Sequence, residues 1–177
     1  MRTRSLLVAI AAGMLTLVIG MPALADTTGP TTATITVTGG FLSITVPADA
    51  GNLGTRTNSV EGGTINGPLG EVQVEDARSA AAGSGWVASV ISTAFTPPSG
   101  PAIAASAVSY TAGTITKVGT ATYTANDPGN LTGVSAAVTA TGITGDNSAT
   151  WTPVIHVAVP GGMAANTYSA TITHSVL

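Results

Sequence analysis

The most regular pattern in the chain is an alternation of larger side chains with hydroxyl side chains near its end. The positions between the larger residues are all serine or threonine. The larger set consists of Tyr168, Ala170, Ile172, His174 and Val176. Because successive side chains of a strand point to opposite faces, this pattern predicts a half-buried antiparallel strand over residues 166–177.

A similar alternation near the other end of the chain predicts a hairpin. Threonine alternates with apolar residues over residues 31–38, and a second apolar run covers residues 41–46. Gly39 and Gly40 separate the two runs, and adjacent glycines favour the type I′ turn that joins paired strands. Pro47 is expected to end the second strand, because proline has no N–H to donate.

The segment from Leu69 to Phe95 is the most distinctive part of the chain chemically. Its apolar runs, residues 69–74 and 86–91, flank a short stretch with Asp76, Arg78 and a Gly-Ser-Gly triplet. Two strand-like runs around such a stretch predict another hairpin, with its second strand beginning at Trp86.

The remaining pattern is also of β type. Trp151 to Val159 alternates well, and Pro153 indicates that this strand starts late or lies at an edge. Further strands are predicted over residues 103–111, 114–124 and 134–140, with turns at 125–130 and 142–147. No helical period, internal repeat or second domain follows the N-terminal segment, so we expect an all-β fold, a single immunoglobulin-like, Greek-key β-sandwich.

The first 25 residues have the features of a secretory signal peptide. Arg2 and Arg4 precede an apolar run from Leu6 to Ile19, and the small-x-small pattern of Ala23 to Ala25 follows. The apolar run is shorter than the roughly 20 residues of a membrane span. We therefore expect cleavage after Ala25, a mature domain of residues 26–177 without a transmembrane span, and a secreted protein at the cell surface.

Composition narrows the possible partners. The mature chain keeps three basic residues against eight acidic ones, a formal charge of −5, and has no basic patch. Nucleic acid and anionic lipid are therefore poor candidates. The absence of cysteine means that no disulfide framework supports the exported domain. The low charged fraction, 7%, suggests a protein held in an assembly or on a surface.

Two segments resemble the signatures of WxL-domain proteins, surface proteins of Gram-positive bacteria. The first is the Leu-Gly-x-Val-x-Val-x-Asp-x-Arg pattern of residues 69–78, followed by a Gly-Trp pair. The second is a Val-Pro turn at residues 159–160, followed by the Tyr-x-Ala-x-Ile-Thr pattern of residues 168–173. The matching positions are Leu69, Gly70, Val72, Val74, Asp76, Arg78, Gly85, Trp86 and Tyr168, and His174 and Val176 lie where the family has its second motif.

The chain departs from the family at the motifs that give it its name. Trp86-Val87-Ala88 stands where the family has its first Trp-x-Leu, and His174-Ser175-Val176 stands where it has the second. The chain is thus similar to a divergent member. The resemblance implies secretion, a β-sandwich and non-covalent attachment to cell-wall peptidoglycan, and the changed positions bear on the last of these.

The candidate binding residues each have a structural alternative. Trp86 and Trp151 can either fill the core or present an indole face to a sugar ring. Asp76 and Arg78, two positions apart on a strand, can pair with each other or recognise the carboxylates of a muropeptide. His174 is expected to be a partly buried, hydrogen-bonded histidine in place of the family's tryptophan.

The sequence contains no recognisable catalytic or metal motif, and we expect neither an enzyme nor a cofactor or metal site. Our first hypothesis is a structural or adhesive protein bound non-covalently to peptidoglycan or another wall glycan. An alternative is a subunit that docks by strand exchange with other exported surface proteins. A small secreted hydrolase is a third.

Overall fold

The computed structural model describes residues 31–177, so the predicted signal peptide lies outside the described residues. Contacts divide the chain into two units, Met1–Thr36 and Val37–Leu177. Of the first unit only residues 31–36 are described, and they are exposed and lie in no strand. The second unit contains all the described strands.

The second unit is built from eight β-strands. They are β1 (Leu42–Thr45), β2 (Gly63–Pro68), β3 (Val72–Ser92), β4 (Val108–Thr111), β5 (Thr116–Ala125), β6 (Ser135–Trp151), β7 (Val154–Val159) and β8 (Ile172–Val176). A single 3-10 turn, Ala105–Ala107, precedes β4. The expectation of an all-β sandwich is confirmed.

The strands form two antiparallel sheets. In the five-stranded sheet, β3 pairs with β6, and β6 pairs with the edge strand β5. Strands β1 and β8 pair with different parts of the other edge of β3. The three-stranded sheet has the order β2-β7-β4. The interior strands are therefore β3 and β6 in the larger sheet and β7 in the smaller one.

The core lies between these inner faces and follows from strand alternation. Every second residue of β3 is buried both before and after the exposed middle part of the strand. Strand β7 contributes Ile155 and Val157. Both tryptophans belong to this core. Each fully buried aliphatic side chain contributes about 1.5–3 kcal/mol through removal of apolar surface from water.

A bend crosses the middle of the five-stranded sheet. Two rungs, or sets of paired residues, enclose the bend: Glu75, Ser148 and Val118 form one, and Trp86, Ala140 and Tyr123 form the other. Between the two rungs the chain takes eleven residue steps on β3, eight on β6 and five on β5. Each strand is thus three steps longer than its neighbour on the β5 side. Because bulges of this kind bend a strand without ending its pairing, β3 and β6 remain continuous.

Left-handed backbone conformations mark the bend. Gly142 and Gly145 of β6 have φ of 64° and 70°, and Ser79 of β3 has φ of 53°. The Ser79 N–H donates to Asp146 Oδ1 at 2.9 Å, which ties the distorted part of β3 to β6. A non-glycine residue in this conformation is uncommon, and here the cross-strand hydrogen bond holds it.

Two predicted reversals are therefore wrong. The segment Leu69 to Phe95 is no hairpin, because both of its apolar runs belong to the single strand β3. Likewise, residues 142–147 do not turn back but continue within β6. The glycines do supply positive φ, as the sequence suggested, but they bend the strand pair instead of reversing the chain.

The predicted hairpin around Gly39 and Gly40 is also wrong. Residues 31–40 lie in no strand, and β1 pairs with β3 instead. The Gly40 N–H donates to Ala77 O at 2.6 Å, and a Cβ on Gly40 would lie 2.8 Å from the Ala77 Cβ. Glycine is therefore needed at position 40 for close approach to β3.

Other predictions are confirmed. Pro153 lies in the break between β6 and β7, so the strand after Trp151 does start late. The predicted final strand is confirmed over Ile172–Val176, where the apolar parity is half-buried and the serine and threonine parity is exposed. Residues 166–171 lie outside β8, and Ser169 forms only an isolated bridge with Thr96.

We expect Gly145→Ala to lower the free energy of unfolding by about 1 kcal/mol, because alanine resists the left-handed conformation even though space is open there. Gly133→Ala is the matched control, since Gly133 also has open space around it but does not have a positive φ. Urea denaturation of both variants measures the difference. Equal stability of the two variants would contradict the bend at Gly145.

Candidate functional site

Asp76 and Arg78 form a bidentate ion pair at the start of the bend. Arg78 Nε donates to Asp76 Oδ1 at 2.8 Å, and Nη2 donates to Oδ2 at 2.9 Å. The Arg78 backbone N–H also donates to Oδ1, at 3.1 Å. Asp76 is completely buried, whereas 37% of the Arg78 side chain is exposed. The prediction of a mutual pair is confirmed.

Asn147 of β6, which is opposite Asp76 in the register, extends this pair into the core. Its Nδ2 donates to Asp76 Oδ2 at 3.3 Å. Its Oδ1 accepts from Trp86 Nε1 at 3.0 Å and from the Tyr123 hydroxyl at 3.1 Å. The rings of Trp86 and Tyr123 lie 5.7 Å apart, so polar and aromatic contacts join β3, β6 and β5 at one place. We call these five residues the bend cluster.

Electrostatic interactions keep Asp76 and Arg78 of the bend cluster ionised. The hydrogen bonds from Arg78, above all, keep the pKa of Asp76 below its ordinary value of 3.8, and the pair raises the pKa of Arg78. Burial, together with the charge of Asp76, raises the pKa of Tyr123. The Tyr123 hydroxyl therefore stays a hydrogen-bond donor at neutral pH.

Arg78 is not available as a fork for a muropeptide carboxylate. Its Nε and Nη2 are bonded to Asp76, and Nη2 also lies 3.3 Å from Gly85 O on the far side of the bend. The interpretation of Asp76 and Arg78 as ligand-binding residues is therefore corrected. The pair closes the bend of β3.

Trp151 belongs to a second cluster, which is centred on the hydroxyl group of Tyr110. Its Nε1 donates to the Tyr110 hydroxyl at 2.7 Å, and His174 Nε2 lies 3.4 Å from the same hydroxyl. The Tyr110 and His174 rings meet edge to face at 5.7 Å. Burial raises the pKa of Tyr110 and lowers the pKa of His174 from 6.5 to about 4. The prediction of a partly buried, hydrogen-bonded His174 is confirmed.

Neither tryptophan is available to stack on a sugar. Trp86 and Trp151 are each only 2% exposed. The interpretation of Trp86 as a core residue is confirmed, and that of Trp151 as a sugar platform near a loop is wrong. Although Trp151 is the last residue of β6, it has the inward parity of that strand, so its indole packs between the sheets.

The outer face of the three-stranded sheet carries a polar groove that the sequence interpretation missed. His156 of β7 lies between Asn66 of β2 and Ser109 of β4 in the register. Its Nδ1 is 2.9 Å from Asn66 Oδ1, and its Nε2 is 3.0 Å from Thr111 Oγ1. With the Asn66 oxygen accepting from Nδ1–H, the neutral ring accepts the threonine hydroxyl at Nε2.

The groove is a shallow depression of about 230 Å³ beside this imidazole. It is lined by Thr64, Ser106, Ala107, Ser109, Gly129, His156 and Ala158. No lysine, arginine, aspartate or glutamate is among these residues. The groove thus offers hydroxyl and imidazole groups without net charge, which suits a neutral, hydroxyl-rich ligand. Its sequence signal was the outward parity of β7, which includes His156.

A second depression, of about 290 Å³, lies beside the bend. Glu75, Asp76 and Asp146 are among its lining residues, so it is acidic. Asp76 is neutralised by Arg78, and Asp146 accepts from Ser79. Within residues 31–177, no three histidine, aspartate or glutamate side chains are grouped closely enough to hold a metal ion.

Comparisons with protein-family models, with curated proteins and with solved structures found no match for this chain. Among the described residues, no helix has the length and apolar character needed to cross a bilayer.

We expect Arg78→Ala to lower the free energy of unfolding by about 2 kcal/mol at pH 7, because it leaves the buried Asp76 carboxylate without its counter-ion. The value is below the roughly 3–5 kcal/mol of fully buried pairs, since Arg78 is partly exposed. Asp76→Asn, which removes the charge, is expected to cost less. Urea denaturation of both single variants and the double variant measures the coupling, and additive effects would contradict the pair.

The pair also predicts a pH dependence. Because the folded pKa of Asp76 is depressed, its contribution to stability is present above the unfolded value near 3.8 and is lost as pH falls through the folded value. Asp76→Asn should therefore flatten the stability curve below pH 4. Denaturation midpoints measured between pH 2 and 5 test this. If stability falls as steeply with pH in the variant as in the wild type, the prediction is contradicted.

His174 is expected to change the stability at higher pH than Asp76 does. Its folded pKa of about 4 lies below 6.5, so the unfolded chain binds a proton that the folded chain excludes. Stability should fall by about 1–2 kcal/mol as pH drops from 6.5 to 4, after discounting for partial exposure of the ring. His174→Asn should remove this slope while keeping a polar partner for Tyr110. Thermal melts across the window measure it, and a slope that persists in the variant would assign the effect to another group.

Proposed function

We propose that this protein is an exported surface protein that associates non-covalently with the Gram-positive cell wall in a structural or adhesive role, as a divergent relative of WxL-domain proteins. The observation that carries the proposal is the strand pairing between the two regions that resemble WxL-domain motifs. The first lies on β3, and the second continues into β8, which pairs with β3 so that Val90 is opposite His174. Two motifs far apart in sequence thus belong to neighbouring strands of one sheet.

The shared motif positions have structural roles that a related fold would need. Leu69, Val72 and Val74 are buried, and Asp76 with Arg78 closes the bend. Residues of this kind support a common architecture. They say less about the ligand, because none of them presents a free polar group to a wall polymer.

The groove around His156 is the surface that best fits a wall glycan. Sugar hydroxyls both donate and accept hydrogen bonds, and hydroxyl, amide and imidazole side chains can do the same. The contacts of His156 with Asn66 and Thr111 fix the ring before a ligand arrives, which reduces the entropy lost on binding. Binding without charge also suits a mature chain with few basic residues.

A binding role fits the described histidines better than a catalytic one. Both ring nitrogens of His156 contact uncharged side chains, Asn66 and Thr111. His174 is buried beside Tyr110 and has a depressed pKa. In the hydrogen bonds described, neither histidine has a carboxylate to orient it as a general base.

Co-sedimentation of residues 26–177 with insoluble peptidoglycan tests the proposal. We expect saturable pelleting, reduced several-fold by His156→Ala, which removes a side chain that lines the groove, and by Asn66→Ala, which removes the partner that fixes the His156 ring. Gln73→Ala, at an exposed position of the five-stranded sheet, is the control and should pellet like the wild type. Circular dichroism verifies that each variant is folded.

Protein that stays wholly in the supernatant would contradict wall binding. Pelleting that survives both groove variants would reject the groove as the binding surface. Release of soluble muropeptides during the incubation would favour a hydrolase instead.

A further inference from the structure

Residues 31–38 have the composition of a strand but lie in no strand. All eight are exposed, with Ile35 at 89% and Val37 at 84%. Threonine occupies the even positions from 32 to 38, while Ala33, Ile35 and Val37 lie on the other parity. The segment contains no charge, glycine or proline. Such a stretch loses little free energy when it becomes extended, and it gains stability by pairing with an open sheet edge.

The most suitable open edge is that of β5. Within the described residues β5 pairs with β6 alone, so its other side presents free backbone donors and acceptors. Beyond Gly119, which has φ of 85°, residues 120–125 all belong to β5 and none has a positive φ; the register with β6 shifts once more, between Thr120 and Thr122. Lys117 is the one charged residue of β5, and it precedes this stretch. The stretch therefore lacks the charges that normally protect an edge.

The two faces of this edge match the two faces of the segment. Thr120, Thr122 and Thr124 are exposed, while Ala121 and Tyr123 are half-buried and pack against the core. An added strand with the same alternation would place threonine beside threonine on one face. On the other face it would place Ile35 and Val37 beside Ala121 and Tyr123. Cross-strand threonine pairs and aromatic–β-branched pairs are both favourable.

Other edges fit less well. The strands β1 and β4 have four residues each, and β8 has five. Strand β2 has six residues, but these include two glycines and a terminal proline. Strand β5 is the longest of these edges, with ten residues and no proline.

We propose that residues 31–38 of one copy add as an extra strand to the β5 edge of a second copy. Gly40 is bonded to Ala77 on β3, and the β5 edge lies beyond β6. Gly40 lies on the β1 side of β3, so reaching the outer side of β5 means crossing about four strand spacings, roughly 19 Å. Only Gly39 separates Thr38 from the fixed Gly40, and one residue spans about 3.5 Å. The acceptor is therefore another copy.

This contact is heterologous, because the donated segment and the accepting edge are different surfaces. Each copy can donate once and accept once, so the assembly grows head to tail unless the rotation between copies closes a ring. The expected cleavage after Ala25 would leave five residues ahead of Thr31, so the donated strand would lie close to the new N-terminus. This inference does not depend on the wall-binding proposal.

Cysteine cross-linking tests the contact directly, because the chain has no cysteine of its own. Copies carrying Thr34→Cys are mixed with copies carrying Cys at Thr120, Thr122 or Thr124, and the mixture is oxidised. We expect a mixed dimer in at least one of these pairings. Thr34→Cys mixed with Thr64→Cys, on β2, is the control and should give only the random background. Equal cross-linking in all mixtures, or preference for Thr64, would overturn the proposal.

Self-association supplies an independent readout. The mass of residues 26–177, measured by light scattering, should rise with concentration in the absence of any wall polymer. Ile35→Lys places a charge on the face that becomes buried and should weaken assembly at least tenfold, whereas Thr34→Lys, on the outward face, should weaken it far less. Both positions are exposed and outside the strands, so the monomer should remain folded. A strictly monomeric wild type, or equal effects of the two lysines, would overturn the proposal.

Discussion

One buried carboxylate, that of Asp76, lies at the bend where β3 is longer than β6 and β6 is longer than β5. Asp76 has no exposed surface, so its charge needs partners inside the protein. Arg78 donates to both of its carboxylate oxygens, and Asn147 donates to one of them. Asn147 in turn accepts from Trp86 and Tyr123, which lie on the strands to either side. The cluster thus joins β3, β6 and β5 at the place where their lengths between the same two rungs differ. Within residues 31–177 no buried side-chain nitrogen or oxygen lacks a partner, so the cluster carries no unsatisfied polar group.

The two tryptophans show that an aromatic residue near a loop or a strand end in the sequence can still belong to the core. Each has an N–H that needs a partner when buried, and each finds one inside the sandwich: Asn147 for Trp86 and Tyr110 for Trp151. The large apolar area of the indole is therefore used for the core. The binding surface that we propose is therefore the outward face of the smaller sheet, where short polar side chains surround His156.

Much of the fold was predictable from local pattern, and the errors share a physical cause. Alternation correctly indicated the half-buried β8 and the strand after Pro153, because burial on one face leaves a period of two in the sequence. Glycine-rich stretches were misinterpreted as reversals, since positive φ is compatible with a turn and with a bulge, and only the partner strand decides between them. Asp76 and Arg78 could be paired from their spacing alone. Asn147 and Tyr123 could not be added to them, because their approach depends on strand register. The groove was hidden for the same reason, as Asn66, His156 and Thr111 come from three strands far apart in the chain.

The register of β3 also determines how the chain must fold. Its partners are distant in sequence: Val72 pairs with Trp151, and Val90 pairs with His174. Topologies dominated by such distant pairings fold slowly, because much chain entropy is lost before the first stabilising contacts form. The last strand is needed to cover an edge of β3, so folding cannot finish until nearly the entire chain is available. The larger sheet therefore cannot be completed while residues 172–176 are still being synthesised.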